Sequence, residues 1–266
     1  MKTTTIVNQK GGVCKTTICR NLGYLLATTY KKKVLLVDLD SSGNLSDFFG
    51  QKRDSKERIG APEVLSDMDA DPNDHIFETR VKGLYIMPGN ASLGTVERLI
   101  KAETTPPPSR RLRAQLEKVE DQFDYCLIDC PPTVSDDMMV LNALAFCDNV
   151  IVPCPATIDA VNGVGAISSM LPGIRKWHDN PNVEILGVLF CRISRKALDR
   201  ELLNQQLSVP RFKAYVREAS ALAEYSRAEC KAFAEYDANA KGTHDMANVA
   251  AEYLGEPYPY PDDMKL

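Results

Sequence analysis

No run of consecutive apolar residues in the 266-residue sequence reaches the roughly 18 that a membrane-spanning helix needs. The opening MKTTTIVNQK has neither an apolar core nor a small-residue cleavage site, so it reads as a polar-flanked strand and not as a secretory leader. The expected location is the cytosol. Histidine is scarce, with three residues far apart at 75, 178 and 244, which argues against a histidine-built zinc site. Cysteine is not scarce, but the eight residues (14, 19, 126, 130, 147, 154, 191 and 230) contain no C-x-x-C pair. A chain this long is no small disulfide scaffold, so most of these thiols are expected as small buried hydrophobes. Excess positive charge is lacking too. The net charge of −4 argues against a generally basic nucleic-acid binder. There are no internal repeats and no low-complexity tracts.

What is present is a core and an alternation. A hydrophobic content of 44% is ample for burial. Strand-like runs are expected at 3–7, 33–38, 83–88, 125–129, 149–153 and 183–191, with a weaker one at 230–236. VLLVDLD, YCLIDC, VIVPC and ILGVLF are nearly continuous in apolar residues, as in strands covered on both faces. Helical patterns lie between them at 16–29, 109–121, 136–146, 157–177, 197–207, 214–228 and 241–254. This predicts an α/β fold: a doubly wound, mostly parallel sheet with helices on both faces. No break marks a second domain, so 1–256 is expected as one nucleotide-binding domain and 257–266, EPYPYPDDMKL less its first residue, as a proline-rich acidic tail.

Residues 8–17 read NQKGGVCKTT, between the first strand and the first helix. Strand, glycine loop and helix start together present backbone N–H groups and a helix N-terminus to an anion, and Lys15 adds a point charge. The Thr16 hydroxyl that follows can ligate Mg²⁺ beside phosphates. The pattern G-x-x-x-x-G-K-[ST] is incomplete, because Gln9 and Cys14 stand at its two glycine positions. A plain glycine turn before a helix is the bland alternative. Acidic residues gather where ligands of such sheets bind, at the carboxyl ends of the strands: Asp38 and Asp40 after the second, Asp129 after the fourth. An Asp closing a hydrophobic strand opposite a phosphate loop is placed to hold hydrated Mg²⁺, the role expected of Asp129. Ser41-Ser42-Gly43 suggests that the chain turns after this strand, and one of Asp38 and Asp40 can orient an attacking water. Charge is also uneven. Residues 190–217 carry seven bases and two acids, net +5, and residues 218–266 four bases and ten acids, net −6. The basic stretch is a solvated helix face or a phosphate-binding patch.

KGGVCKTT, VDLDSSGNLS and YCLIDCPPTVSDDMMVLNALAFCDNVIVPC, in this order over residues 3 to about 160, resemble the ParA/Soj branch of the ParA–MinD family of deviant Walker-motif ATPases. A weaker likeness continues through ILGVLF, VPRFKAYVREA and AEYDANAKGTHDMANVAAEYL. The resemblance implies ATP and Mg²⁺ as cofactors and a face-to-face nucleotide sandwich dimer. Lys10 would be the signature lysine reaching the partner's phosphates, Lys15 would hold the β/γ-phosphates, and Thr16 the metal with Asp38 and Asp129. Gly11, Gly12, Val13, Cys14 and Thr17 complete the cradle, and Pro210 is the expected neighbour of adenine. Asp40 matches the water-activating position and Asp38 a switch position. It further implies that the ATP-bound homodimer binds non-specific DNA through Arg192, Arg195, Lys196, Arg211, Lys213 and Arg217, and that a ParB-type centromere-binding protein stimulates hydrolysis. The expected setting is cytoplasmic and nucleoid-associated, without membrane attachment, and no DNA-binding domain is expected ahead of the loop.

Two departures stand out. The family has Gly where Cys14 stands, a position that commonly needs positive φ, and Pro-Gln where Ser41-Ser42 stand. Cys14 beside Lys15 at a helix start is either a tolerated substitution or a redox-sensitive thiol. Three other readings are open. A degenerate, slowly cycling nucleotide-gated module follows from Cys14. A MinD-like membrane regulator needs a basic amphipathic C-terminal helix, where this chain has prolines and acids. An iron–sulfur carrier would use Cys126 and Cys130, which adjoin the Mg²⁺ aspartate.

Overall fold

The computed structural model describes residues 1–50, 59–132, 137–204 and 207–261. In chain order the elements are β1 (Lys2–Ile6), α1 (Lys15–Thr28), β2 (Val34–Asp38), α2 (Asn44–Phe48), α3 (Ala61–Ser66), β3 (Phe77–Glu78), β4 (Leu84–Met87), α4 (Leu93–Lys101), α5 (Arg111–Leu116), β5 (Tyr125–Asp129), α6 (Met138–Phe146), β6 (Asn149–Pro155), α7 (Ile158–Trp177), β7 (Glu184–Ile193), α8 (Ala197–Asn204), β8 (Val216–Arg217), α9 (Ser220–Ala228), α10 (Phe233–Tyr236) and α11 (Lys241–Leu254). The strands form one eight-stranded sheet in the order β3-β4-β2-β5-β1-β6-β7-β8. Every pairing is parallel except β3 with β4. The expected doubly wound sheet is therefore present.

Successive strand residues point to opposite faces, and both faces are covered. Leu35, Val37, Cys126 and Ile128 join one buried cluster, roofed by α3 to α7. Val34, Leu36 and Leu127 join the other, under α1 and α11. The central strands β5 and β1 are flanked in register, so that Ile6, Asp129 and Asp38 end at one level. That alignment of strand ends builds the floor of the site.

Three expectations are corrected. The weak strand at 230–236 is a turn followed by α10; its apolar–polar alternation is that of a short helix whose Glu235 carboxylate accepts the N–H of Ala232 and caps the start. The helix at 214–228 divides into edge strand β8 and helix α9, because Val216 pairs beside Cys191 instead of continuing a helical turn. The helix at 109–121 is α5 with a 3₁₀ turn on either side. Part of the helix expected at 197–207 lies outside the described residues, and α8 is described to Asn204. The helix at 241–254 is α11 with the same ends, closed by Gly255 in the left-handed conformation (φ 74°). Residues 257–261 run along α11: the Tyr260 ring stacks on His244 at 3.8 Å, and its backbone N–H and carbonyl pair with the Asn248 side chain.

Candidate nucleotide site

The loop between β1 and α1 is bent by two left-handed residues, Gly12 (φ 71°) and Cys14 (φ 69°, ψ 14°). Gly12 adopts this freely, whereas a residue with a Cβ does so at a cost of about 1–2 kcal/mol. Cys14→Gly is therefore expected to stabilise the protein by about 1 kcal/mol, seen as a higher thermal midpoint; an unchanged or lower midpoint would show that the thiol's contacts outweigh the strain. Asn8 anchors the loop, donating from Nδ2 to the Pro153 carbonyl at 2.7 Å and accepting the Lys10 N–H at Oδ1, 3.2 Å. Space beside it is minimal: a Cβ on Gly163 of α7 would lie 2.3 Å from Asn8 Oδ1. Lys15, buried at the first position of α1, donates from Nζ to the carbonyl of Lys10 at 3.1 Å and of Asn8 at 3.4 Å. Burial lowers its pKa, against the opposing charge of Asp129.

Asp129 closes β5 with 1% of its surface exposed, and neither carboxylate oxygen has a hydrogen-bond partner among the described residues. Burial, then the charge of Asp38, raises its pKa, and the adjacent Thr16 hydroxyl opposes this. A buried carboxylate left in this state costs several kcal/mol unless a cation or donor meets it. Asp38 is different. Its Oδ2 accepts the Ser46 N–H at 2.9 Å and the Ser46 hydroxyl at 2.6 Å, and its Oδ1 accepts the Asp40 N–H at 3.1 Å. Ser46 Oγ in turn accepts the Gly89 N–H at 3.0 Å, and a Cβ on Gly89 would lie 2.3 Å from the Asp38 carbonyl. Asp38 thus anchors the turn that follows it, while Asp129 keeps its oxygens available. The chain does turn after β2: the Gly43 N–H bonds the Asp40 carbonyl at 2.9 Å, Gly43 is left-handed, and Asp40 Oδ1 accepts the Ser42 N–H at 2.8 Å. Asp40 consequently lines the cavity with the loop.

Burial pushes the Asp38 carboxyl up from 3.8 to about 6, against the Ser46 and Asp40 hydrogen bonds. A folded-state pKa raised above the unfolded value means that the native state holds the extra proton between these limits, so this group's contribution to stability falls as pH rises from about 4 to about 6. Asp38→Asn removes that loss. Its thermal midpoint relative to the unsubstituted protein, without Mg²⁺, is expected to climb over this pH window; a constant difference would refute the assignment.

The loop and Asp40 line one cavity of about 770 Å³, walled by Gly11–Ile18, Asp40, Ser42, Asn44 and Pro132 on the loop side, and by Cys191, Arg192, Val216–Ser220, Phe233 and Met246 on the other; Asp38 and Asp129 are not among its lining residues. The structure brings Gly11, Gly12, Val13, Cys14, Lys15, Thr16, Thr17 and Asp40 to one surface. Exposed Lys10 lies within the loop beside Gly11. Pro210 is not among the lining residues; its carbonyl instead accepts the Val188 N–H at 2.9 Å, and the β8–α9 segment occupies the wall facing the loop. The six expected DNA contacts scatter. Arg192 rims the cavity with its guanidinium 3.8 Å from Glu218; Arg195 and Lys196 are exposed before α8; Arg211 bonds the Leu203 carbonyl; Lys213 is exposed; Arg217 is a two-bond partner of Asp245 at 2.7 Å. The cysteines expected as buried hydrophobes are so at 19, 126, 130, 147, 154 and 191, whereas Cys14 and Cys230 are half-buried.

Two cavity residues are new. Arg20 is 4% exposed, has no acidic partner among the described residues, leaves Nε unpaired and rests 4.4 Å from the Phe48 ring. Burial and the charge of Arg227 push its pKa down to about 10. Arg20→Met keeps the packing and removes an unpaired buried charge, so a thermal midpoint several degrees higher is expected; a lower one would show that the guanidinium is already compensated. The sequence signal was a lone arginine inside the apolar face of α1, one turn beyond Thr16. The other is Cys191, whose thiol donates to the Val13 carbonyl at 3.5 Å, beside Cys14. The neighbouring Cys191 thiol, then the guanidiniums of Arg192 and Arg20, lowers the Cys14 pKa against the effect of burial.

Comparison with known proteins identifies this arrangement. Residues 1–185 match the AAA_31 family, described as an AAA domain. The chain is 33% identical over 252 residues to the sporulation initiation inhibitor protein Soj of Bacillus subtilis, covering 93% of this chain and 96% of that protein. It is 36% identical over 193 residues to the chromosome partitioning protein ParA of Caulobacter vibrioides, covering 72% of this chain and 69% of the relative. Its fold superposes with a TM-score of 0.74 on the septum site-determining protein MinD of Pyrococcus horikoshii, solved with Mg-ADP, at 25% identity over 95% of each chain. A parallel sheet whose first strand delivers Lys15 and Thr16 beneath Asp129, in a chain with these relatives, belongs to the ParA/Soj family of P-loop ATPases.

Proposed function

We propose that this protein is an ATP-dependent partition ATPase, cytoplasmic and nucleoid-associated, in which residues 1–256 act as one nucleotide-binding domain. The observation that carries the reading is the meeting of Lys15, Thr16 and the unpaired buried Asp129 at the open end of the sheet. Two orphaned carboxylate oxygens beside a threonine hydroxyl fit a hydrated Mg²⁺, held by Thr16 and Asp129 with Asp38 fixing the turn behind them. When bound, Mg²⁺ would neutralise charge on the β- and γ-phosphates. The N–H groups of Gly11 to Thr17 and the Lys15 ammonium hold the phosphates, and Asp40 orients the water that attacks in line. Lys10 reaches the phosphates of a second copy, so that turnover depends on dimerisation. The base lies against the β8–α9 wall, where Val216, Ala219, Phe233 and Met246 offer apolar surface; Pro210 has no part in this.

ATP-bound dimers bind non-specific DNA through Arg195, Lys196 and Lys213, doubled by two-fold symmetry, with Arg192, Arg211 and Arg217 engaged in protein contacts that would have to open. A ParB-type partner then stimulates hydrolysis and release. The deciding experiment is fluorescence anisotropy of non-specific duplex DNA with the nucleotide-free, ADP and ATP states. Tight binding with ATP only, falling steeply with salt, is expected; equal binding in all three states, or none, overturns the reading. The strained Cys14 favours a second reading, a nucleotide-gated binding module that cycles slowly, for which ATP-dependent DNA binding would persist with negligible phosphate release.

A further inference from the structure

Cys14 and Cys191 meet where the phosphate loop touches the sheet. Cys14 holds the left-handed position before α1, and Cys191 lies near the carboxyl end of β7. Both side chains line the same cavity, and the Cys191 thiol donates to the Val13 carbonyl oxygen at 3.5 Å, in the peptide bond that leads into Cys14. The contact therefore involves the backbone of the cradle itself. Cys191 is fully buried; Cys14 is half-buried and opens onto the cavity, flanked by Arg192 and Arg20. One sulfur is reachable by a small polar oxidant, and the other waits behind it. This is the arrangement of an attacking and a resolving thiol.

We propose that Cys14 and Cys191 form a modification site, a dithiol that hydrogen peroxide converts to a disulfide tying the phosphate loop to β7. In the first step the Cys14 sulfur attacks a peroxide oxygen and the O–O bond breaks. Cys14–SH and H₂O₂ give Cys14–SOH and one water. In the second, the Cys191 sulfur attacks the Cys14 sulfur and the S–O bond breaks; the thiol proton leaves with the hydroxyl as a second water. Two thiols have lost two electrons to one peroxide. The new bond, about 2.05 Å long, draws the two sulfurs together. Because interiors transmit such displacements, the peptide at residue 14 moves toward β7 and its N–H leaves the position that faces a phosphate. Gating of nucleotide by this bond rests on the function proposed above; formation of the bond does not.

The test uses the full chain. Reduced protein is treated with a small excess of hydrogen peroxide, blocked with N-ethylmaleimide, and mapped by mass spectrometry without reduction. The expected result is a cross-linked peptide pair containing Cys14 and Cys191, and a fall in titratable thiols from eight to six. In Cys191→Ser the cross-link is absent and Cys14 advances to the sulfinic acid. Recovery of Cys14 and Cys191 as separate labelled or over-oxidised peptides would overturn the proposal. Affinity for a fluorescent ADP analogue is expected to drop at least tenfold on oxidation and to recover with dithiothreitol. Unchanged affinity in protein shown to carry the bond would overturn the gating. The peptide map reads the bond whether or not reduced protein takes up nucleotide, so failure of the ATPase reading is separately visible.

Discussion

Lys15→Ala is expected to raise the dissociation constant for a fluorescent ATP analogue at least ~100-fold. The ammonium is buried at the start of α1, where water cannot screen it, and each charge-assisted hydrogen bond it could give a phosphate is worth about 1.5–3 kcal/mol. Two such bonds correspond to the two orders of magnitude stated. The fold should be little affected. The carbonyls of Lys10 and Asn8 lose one partner each, but a desolvated ammonium is removed at the same time. A variant that binds as tightly as the parent would show that the loop does not cradle phosphates. A variant that melts far below the parent would show that Lys15 is chiefly structural.

Asp40→Ala carries the second large effect, and its character is different. Turnover is expected to fall by ~10²–10³ while nucleotide affinity stays within a few-fold, because water activation contributes to the transition state and not to ground-state binding. The carboxylate has one described hydrogen bond, from the Ser42 N–H, so its removal loosens only the turn ahead of α2. Asp38→Ala would not serve as an equivalent, since it strips three hydrogen bonds from a buried network and confuses chemistry with folding. The measurement is phosphate release under saturating ATP and Mg²⁺, with affinity measured in parallel. Equal losses in both would remove Asp40 from the water-activating role.

The architecture was legible in the sequence because its central strands are buried on both faces. VLLVDLD and YCLIDC can hardly be anything but covered parallel strands once helical patterns separate them. The edges were not legible. β3 and β8 have two residues each, too few for any periodicity, and α9 was merged with β8 into one helix. The cradle could be read despite lacking both pattern glycines, because the order strand, Gly-Gly, Lys-Thr, helix carries the physics that the glycines only facilitate. Left-handed φ at Cys14 was implied by the family resemblance, which places Gly there, and the loop adopts it. The opposite wall could not be read. Cys191 reaches Cys14 across 177 positions of sequence through the pairing of β1 with β6 and β6 with β7, and no local pattern encodes that. Arg20 is signalled only by its place inside the apolar face of α1, which says nothing of the cavity. No local pattern marks the neighbour of adenine: Pro210 is not among the lining residues, and the wall begins at edge-strand residue Val216.

Gly89 and Gly163 touch no phosphate in any account of the site, yet each lies where one methyl group would collide with a group that shapes it, the Asp38 carbonyl and the Asn8 side chain. In a saturation mutagenesis screen scored by growth, both positions should tolerate glycine alone and so rank beside Lys15 and Asp40. Screens of this kind rank intolerance, and here part of the intolerance belongs to empty space held open 81 and 155 residues away from the loop's Asn8.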